Sequence, residues 1–332
     1  MKVRITALDT LTFGVGIPSV MGEDTFGVSM FPPFPSVIRG AARAGWLYEN
    51  GSFDIADTGS DPTKDYAVTE YALLLNNVPH FPAPADFVLS EDGKTLIQRE
   101  LRENDGLSSL ATPYQLWVSA DGKVVSAETR YLALESLERY LSGTSVTECV
   151  PLTDYVISES KLGIYRGRDT NTVKKGALYR SPLIRLNNAA LAANIDGAAA
   201  GGLIRFGGEN KVANFAAYDG AISPRGAIGD DGRFKLYLAT PAFLRGGYLP
   251  ALPVKARLLT AAVYGCDSIG GFDMRAKRPK PMRRAVKAGS VYYYELEDNT
   301  DGNRAAVLAL HGGSVSEYSR EDGFGICYIG KI

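Results

Sequence analysis

The chain has 332 residues, 45% of them hydrophobic and 22% charged, with a formal net charge of −1. This is the composition of a folded protein of about two domains and excludes a disordered chain. Three cysteines (Cys149, Cys266, Cys327) lie far apart without CxxC spacing, which fits neither a zinc site nor a disulfide framework. That cysteine usage makes a reducing, cytoplasmic location the expectation, and since no apolar run reaches the ~18 residues of a membrane span, no membrane association is expected.

In chain order, residues 2–13 alternate as a strand and a Gly/Pro-rich loop follows. Pro35 and Ser36 predict the start of a helix, with proline in the first turn and serine as cap. Its apolar face is Val37, Ile38, Ala41, Ala44, Gly45 and Leu47, and Arg39 and Arg43 share the opposite face. A basic pair near a helix start opposes the macrodipole, which hints at an anionic ligand. Residues 66–75 and 86–98 read as strands around a proline-broken loop. Residues 129–141 read as a second helix ended by Gly143, and 154–165 as a strand. The order β-α-β-β-α-β is the ferredoxin-like arrangement.

Residues 161–185 form a basic cluster of Lys161, Arg166, Arg168, Lys174, Lys175, Arg180 and Arg185 against one acid, Asp169. Two β-like arms, 161–166 and 177–184, around a turn-rich middle predict a protruding hairpin with a basic tip. Residues 187–202 look like an Ala/Gly/Asn-rich connector. Strand character resumes over 202–215, where Gly207 and Gly208 mark a bulge or close approach. From residue 233 the pattern repeats, with strands at 233–244, 254–265 and 289–297, a short helix at 303–312 and a last strand at 323–330. The expectation is therefore α+β: two ferredoxin-like (RRM-like) domains, 1–200 and 201–332, with long loops.

The densest charge lies in 270–290, with Arg275, Lys277, Arg278, Lys280, Arg283, Arg284 and Lys287 against Asp273. Pro279 and Pro281 exclude a helix or central strand there, and an extended, partly polyproline loop is expected. Residues 1–150 carry 11 basic and 20 acidic side chains, whereas 151–332 carry 25 and 17, so the second half is suited to a polyanion. Tyr165, Tyr179, Phe272, Tyr292 and Tyr293 accompany the charges, as aromatics do where unstacked RNA bases are held.

Catalytic signals are weak. His80 and His311 lack neighbours with metal-ligand spacing, no Walker A or GxSxG motif occurs, and Glu23–Asp24 reads as a solvated pair. Gly323 and Gly325 lack the Lys-Ser/Thr of a phosphate loop. They read as a turn needing positive φ, or as an edge that a nucleic-acid backbone could approach.

The segments PPFPSVIRGAARAGWL, KLGIYRGRDTNTVKKGALYR, GGFDMRAKRPKPMRRAVKAGSVYYYEL and GFGICYIG resemble, in this order, the RAMP superfamily of CRISPR proteins. More closely, with LDTLTFGVGIPSVMGEDTFG and ALHGGSVSEYSREDGFG, the chain is similar to the third-subunit family of the Cmr (type III-B) RNA-guided interference complex. The resemblance implies a non-catalytic subunit without cofactor or metal. It would bind the 5′ tag of the CRISPR RNA, dock on the large polymerase-like subunit and adjoin the backbone RAMP subunits in antiviral defence. Hairpin 161–185 would be the RAMP thumb, Ser36, Arg39 and Arg43 the helix under the RNA, and Gly323 and Gly325 the glycine-rich loop. The alternative is a RAMP-type, metal-independent endoribonuclease that processes precursor CRISPR RNA.

Overall fold

The computed structural model describes residues 1–14, 29–51, 61–106, 111–120, 122–167, 169–170, 172–198, 201–273 and 277–332. The first part of the chain runs β1 (Lys2–Ala7), α1 (Pro35–Glu49), β2 (Ala67–Leu75), β3 (Val78–Pro82), β4 (Phe87–Ser90), β5 (Leu96–Gln98), β6 (Glu100–Glu103), β7 (Tyr114–Trp117), β8 (Val124–Ser126), β9 (Arg130–Ala133), α2 (Leu134–Leu141) and β10 (Val150–Pro151). It continues through β11 (Val156–Arg166), β12 (Val173–Leu186), β13 (Ala189–Asp196), β14 (Gly202–Arg205) and β15 (Val212–Ala217). The remainder runs β16 (Arg233–Leu238), β17 (Ala256–Ala262), β18 (Cys266–Ile269), β19 (Phe272–Asp273), β20 (Arg278–Pro279), β21 (Arg283–Val286), β22 (Val291–Leu296), α3 (Asp301–Leu308) and β23 (Cys327–Gly330).

The fold is α+β around two main sheets, ordered β10-β9-β3-β2-β13-β1-β15-β14 and β17-β22-β16-β23. In each, two parallel strands flank an antiparallel one: β1 and β2 flank β13, and β16 and β17 flank β22. A ferredoxin-like β-α-β-β-α-β unit has this strand arrangement together with two helices. Neither sheet has its full helix set. Among the described residues no helix joins β13 to β15 or β16 to β17, and α2 lies in the long insertion between β2 and β13. Strands β14 and β15 belong to the first sheet although they lie beyond residue 200, because β15 pairs with β1 over five residues.

Several expectations are corrected. The connector 187–202 contains β13, the strand between β1 and β2. Its alanines Ala190, Ala192 and Ala193 are buried, so small side chains serve a crowded centre where intrinsic β-propensity counts for little. The proline-broken loop holds β3, and strand 86–98 is two strands, β4 and β5, folded into a hairpin. Helix 129–141 begins as strand β9, which pairs with β3. The segment 154–165 leaves the sheet altogether and forms the first arm of the β11–β12 hairpin.

Both faces of the second sheet are covered. Tyr237, Tyr293 and Tyr328 pack into the main core, while Phe234, Leu236, Tyr292 and Tyr294 pack on the opposite side with Val307 of α3. A buried polar knot ties this sheet to the N-terminal insertion. Asp86, fully buried, accepts from the hydroxyls of Tyr140 (2.9 Å) and Tyr293 (2.5 Å). Lys235, 2% exposed, places its Nζ 3.7 Å from the Tyr140 ring centroid. Burial pushes the Lys235 ammonium down to about 8, with Asp86 opposing. The unfolded chain therefore binds the extra proton above that value, and the lysine's desolvation penalty is relieved as pH rises from 8 toward 10.5. The unfolding free energy of the wild type minus that of Lys235→Met is expected to rise by about 2–3 kcal/mol over this window, measured by urea denaturation at each pH.

Candidate nucleic-acid interface

The basic stretch 270–290 is a ribbon rather than a lone extended loop. Strand β18 pairs with β21, and β19 pairs with β20 beyond them. Every strand of a two-stranded ribbon has an unpaired side, where a proline's missing donor costs nothing, so Pro279 is accommodated in β20. The ribbon occupies the connection from β17 to β22. Lys277, Arg278, Lys280, Arg283 and Arg284 are all exposed, and none forms an ion pair among the described residues. Arg283 lies 4.3 Å from the centroid of the Tyr318 ring, which Arg245 also faces at 5.1 Å. Lys287 is instead neutralised at the ribbon's foot by Glu128 (2.7 Å) and Asp267 (3.8 Å). Arg275 lies outside the described residues.

A small apolar cluster welds the ribbon to two other expected elements. Ile269 and Ala285 from its base pack with Phe243 and Phe324, and Phe34 and Tyr318 pack against them. Phe324 belongs to the glycine-rich loop and Phe34 is the residue before α1, their ring centroids being 6.1 Å apart. A groove of about 500 Å³ runs alongside, lined by Val37, Gly40 and Ala44 of α1 and by Phe272 of the ribbon, which is 55% exposed.

The helix residues expected to touch an anion are turned to other work. Arg39 is buried, donating from Nε to the Tyr66 carbonyl (2.5 Å), from Nη1 to Asp322 (2.9 Å) and from Nη2 to the Lys64 carbonyl (2.8 Å). Arg43 pairs with Asp61 and donates to the Thr63 hydroxyl (2.9 Å). The macrodipole cost at this helix start is thus offset by protein carboxylates. Ser36 does not cap: the N-cap is Phe34, without a side-chain hydrogen bond.

Gly323 and Gly325 have φ of +87° and +76°. A side chain on Gly323 would meet Pro35 at 2.8 Å and Val68 at 2.9 Å, and one on Gly325 would overlap the Ser316 backbone. Gly323 is needed where the loop packs on α1 and β2, Gly325 where it packs on Ser316, and both Cβ directions face protein rather than an open edge.

The β11–β12 hairpin protrudes as expected, with longer arms and a register shift between Ile164 and Arg166. Lys161, Arg166 and Arg180 are exposed, as are Leu162, Ile164, Tyr165 and Val173. Arg185 is bound at the base by Glu159 and Asp9 (3.3 Å). Arg168 lies outside the described residues, as do the side chains of Lys174, Lys175 and Tyr179. Of the expected stacking aromatics, Tyr165 and Phe272 are exposed, whereas Tyr292 and Tyr293 are core. Tyr318 and Arg245 escaped sequence reading because an isolated Tyr or Arg in a polar loop carries no pattern.

The arginines divide between fold and surface. Arg39→Ala strands the buried Asp322 carboxylate and should lower the unfolding free energy by about 3–5 kcal/mol in urea denaturation. Arg284→Ala should change it by less than about 0.5 kcal/mol.

No curated protein matches the chain. Among solved structures, it resembles a chain in a structure described as the Type III-B Cmr-beta bound to cognate target RNA. The TM-score is 0.53 at 18% identity, covering 88% of this chain and 86% of that one. A second structure, of Cmr-beta with cognate target RNA and AMPPnP, gives 0.52 at 17% identity and the same coverage. At these identities the likeness is one of fold. The model of a family described as CRISPR-associated protein (Cas_Cmr3) matches residues 3–332, and with almost the whole length accounted for the chain belongs to that family.

Proposed function

We propose that this protein is a non-catalytic RNA-holding subunit of a type III-B Cmr effector complex. It would grip the 5′ tag of the CRISPR RNA and dock on the large polymerase-like subunit beside the backbone RAMP subunits, its halves folding as variants of the ferredoxin-like unit. The observation that carries this reading is the ribbon. Five exposed cations without carboxylate partners among the described residues project from a base rigidly packed on α1 and the glycine-rich loop. Unpaired charge on a fixed scaffold favours a polyanion, because little ordering entropy is lost on binding. The protruding hairpin adds Lys161, Arg166 and Arg180 as a second arm, and the Cmr-beta structures that share the fold are described with bound target RNA.

The nuclease alternative finds no support in His311. Its Nε2 faces the Pro224 carbonyl at 2.8 Å and its Nδ1 accepts from the Ile329 amide at 3.0 Å, so both ring nitrogens serve the fold.

RNA loading into the assembled complex tests the proposal. Arg283→Glu with Arg284→Glu should weaken CRISPR RNA binding while leaving thermal unfolding unchanged. With about five phosphates held, log K should fall against log salt with a slope of about −3.5, and the double variant should make it shallower by about 0.7 for each phosphate it no longer holds. Unchanged RNA binding together with failure to bind a neighbouring subunit would show that the ribbon grips protein instead. Metal-independent cleavage of labelled RNA that disappears in His311→Ala would establish the nuclease.

A further inference from the structure

A second cavity, of about 230 Å³, lies where the two halves meet. Phe31, Tyr71, His80, Phe81 and Tyr131 wall it, and Lys287 at the ribbon's foot closes its rim with Glu128 and Asp267. Its volume is below the ~300–1,000 Å³ of pockets that enclose drug-sized ligands, so it suits one small ring system. Aromatic walls favour a planar ligand, which can lie against them with both faces covered.

The polar groups define that ligand further. His80 and Tyr131 are each 7% exposed, yet each keeps one hydrogen-bonding atom without a partner among the described residues. The only sealed orphan atoms among those residues are Asp86 Oδ1 and Arg130 Nε, so His80 Nε2 and the Tyr131 hydroxyl, on residues that line the cavity, are not sealed off. The Val78 carbonyl faces His80 Nδ1 at 2.8 Å and takes the proton there, which leaves Nε2 as an acceptor in the neutral ring. Burial lowers the His80 pKa, with the Val78 carbonyl opposing, and keeps the ring neutral. Burial also keeps the Tyr131 hydroxyl protonated, as a donor. At the rim, Lys287 takes one oxygen each from Glu128 and Asp267, and the second oxygen of each carboxylate can accept. The cavity thus offers several acceptors and one hydroxyl donor inside, with the Lys287 ammonium a further donor at the rim.

Resting on the RNA-holding reading, we propose that this cavity receives the Watson–Crick edge of a single nucleobase on which an exocyclic amino group adjoins an acceptor ring nitrogen, adenine or cytosine. The base stacks on the aromatic walls, its amino group donates to His80 Nε2 or a rim carboxylate, and its adjacent ring nitrogen accepts from Tyr131. In the same orientation uracil presents a carbonyl where the amino group donates and an N–H where the ring nitrogen accepts, so its edge is the inverse of the one required. The base arrives either in the RNA strand or on a free mononucleotide, which offer the same ring.

Fluorescence anisotropy on the full chain with short oligo(A), oligo(C) and oligo(U) RNA tests this, with AMP, CMP and UMP as separate ligands. Wild-type protein should prefer oligo(A) and oligo(C). Tyr131→Phe, which keeps the ring, and His80→Ala should each weaken those two by about tenfold, the loss from leaving one buried hydrogen-bonding group unpaired. Affinity for oligo(U) should stay within about twofold. Saturable AMP or CMP binding that Tyr131→Phe weakens to the same extent identifies a free nucleotide as a ligand, and sensitivity of the oligomers alone identifies a base presented by the strand. Equal affinity for the three oligomers, unchanged in both variants, overturns the proposal. Wild-type protein that binds AMP at this cavity but no RNA overturns the RNA-holding reading and leaves the cavity assignment standing.

Discussion

Arg39 and Asp322 are 283 residues apart in the chain and 2.9 Å apart in the fold. Their pairing fixes the start of α1 against the glycine-rich loop, and most of the candidate interface follows from it. Gly323 can approach Pro35 only because it has no side chain, and Phe324 then meets Phe34 and Phe243. The ribbon's base joins the same cluster through Ile269 and Ala285. A buried guanidinium with all three nitrogens engaged by protein is costly to break, so it serves as a rigid datum for the exposed cations above it.

Charge is accordingly sorted by position. Arg39, Arg43, Arg185 and Lys287 have carboxylate partners and shape the fold. The ribbon's outer cations have none among the described residues. Net charge near zero therefore conceals a surface on which positive potential is concentrated by pairing elsewhere.

The α+β class, α1, both basic elements and the repeat of strand patterns were legible in the sequence, because periodicity and charge are local properties. What was not legible was set by long-range packing. β13 reads as an Ala/Asn connector, since its neighbours β1 and β2 supply the reason for small buried residues. Arg39 and Arg43 look alike four residues apart, and only a carboxylate encoded near the end of the chain reveals that Arg39 is internal. The three consecutive tyrosines could not be divided between core and ligand. The structure buries all of them because the second sheet is covered on both faces. Pro279 and Pro281 correctly excluded a helix, but exclusion from a central strand is not exclusion from a ribbon, every strand of which is an edge.

The Arg39–Asp322 pair also bears on the order in which the molecule can mature. During synthesis α1 leaves the ribosome long before Asp322 exists, so for most of translation a cation destined for the interior has no counterion. Helix α1 can pack on β2 early, with Arg39 on the Tyr66 and Lys64 carbonyls, but the carboxylate partner of Arg39 arrives only when the loop at 320–325 has been made and folded back. Since the ribbon base rests on that same loop, the basic surface gains its fixed footing only after the residues 320–325 have been made.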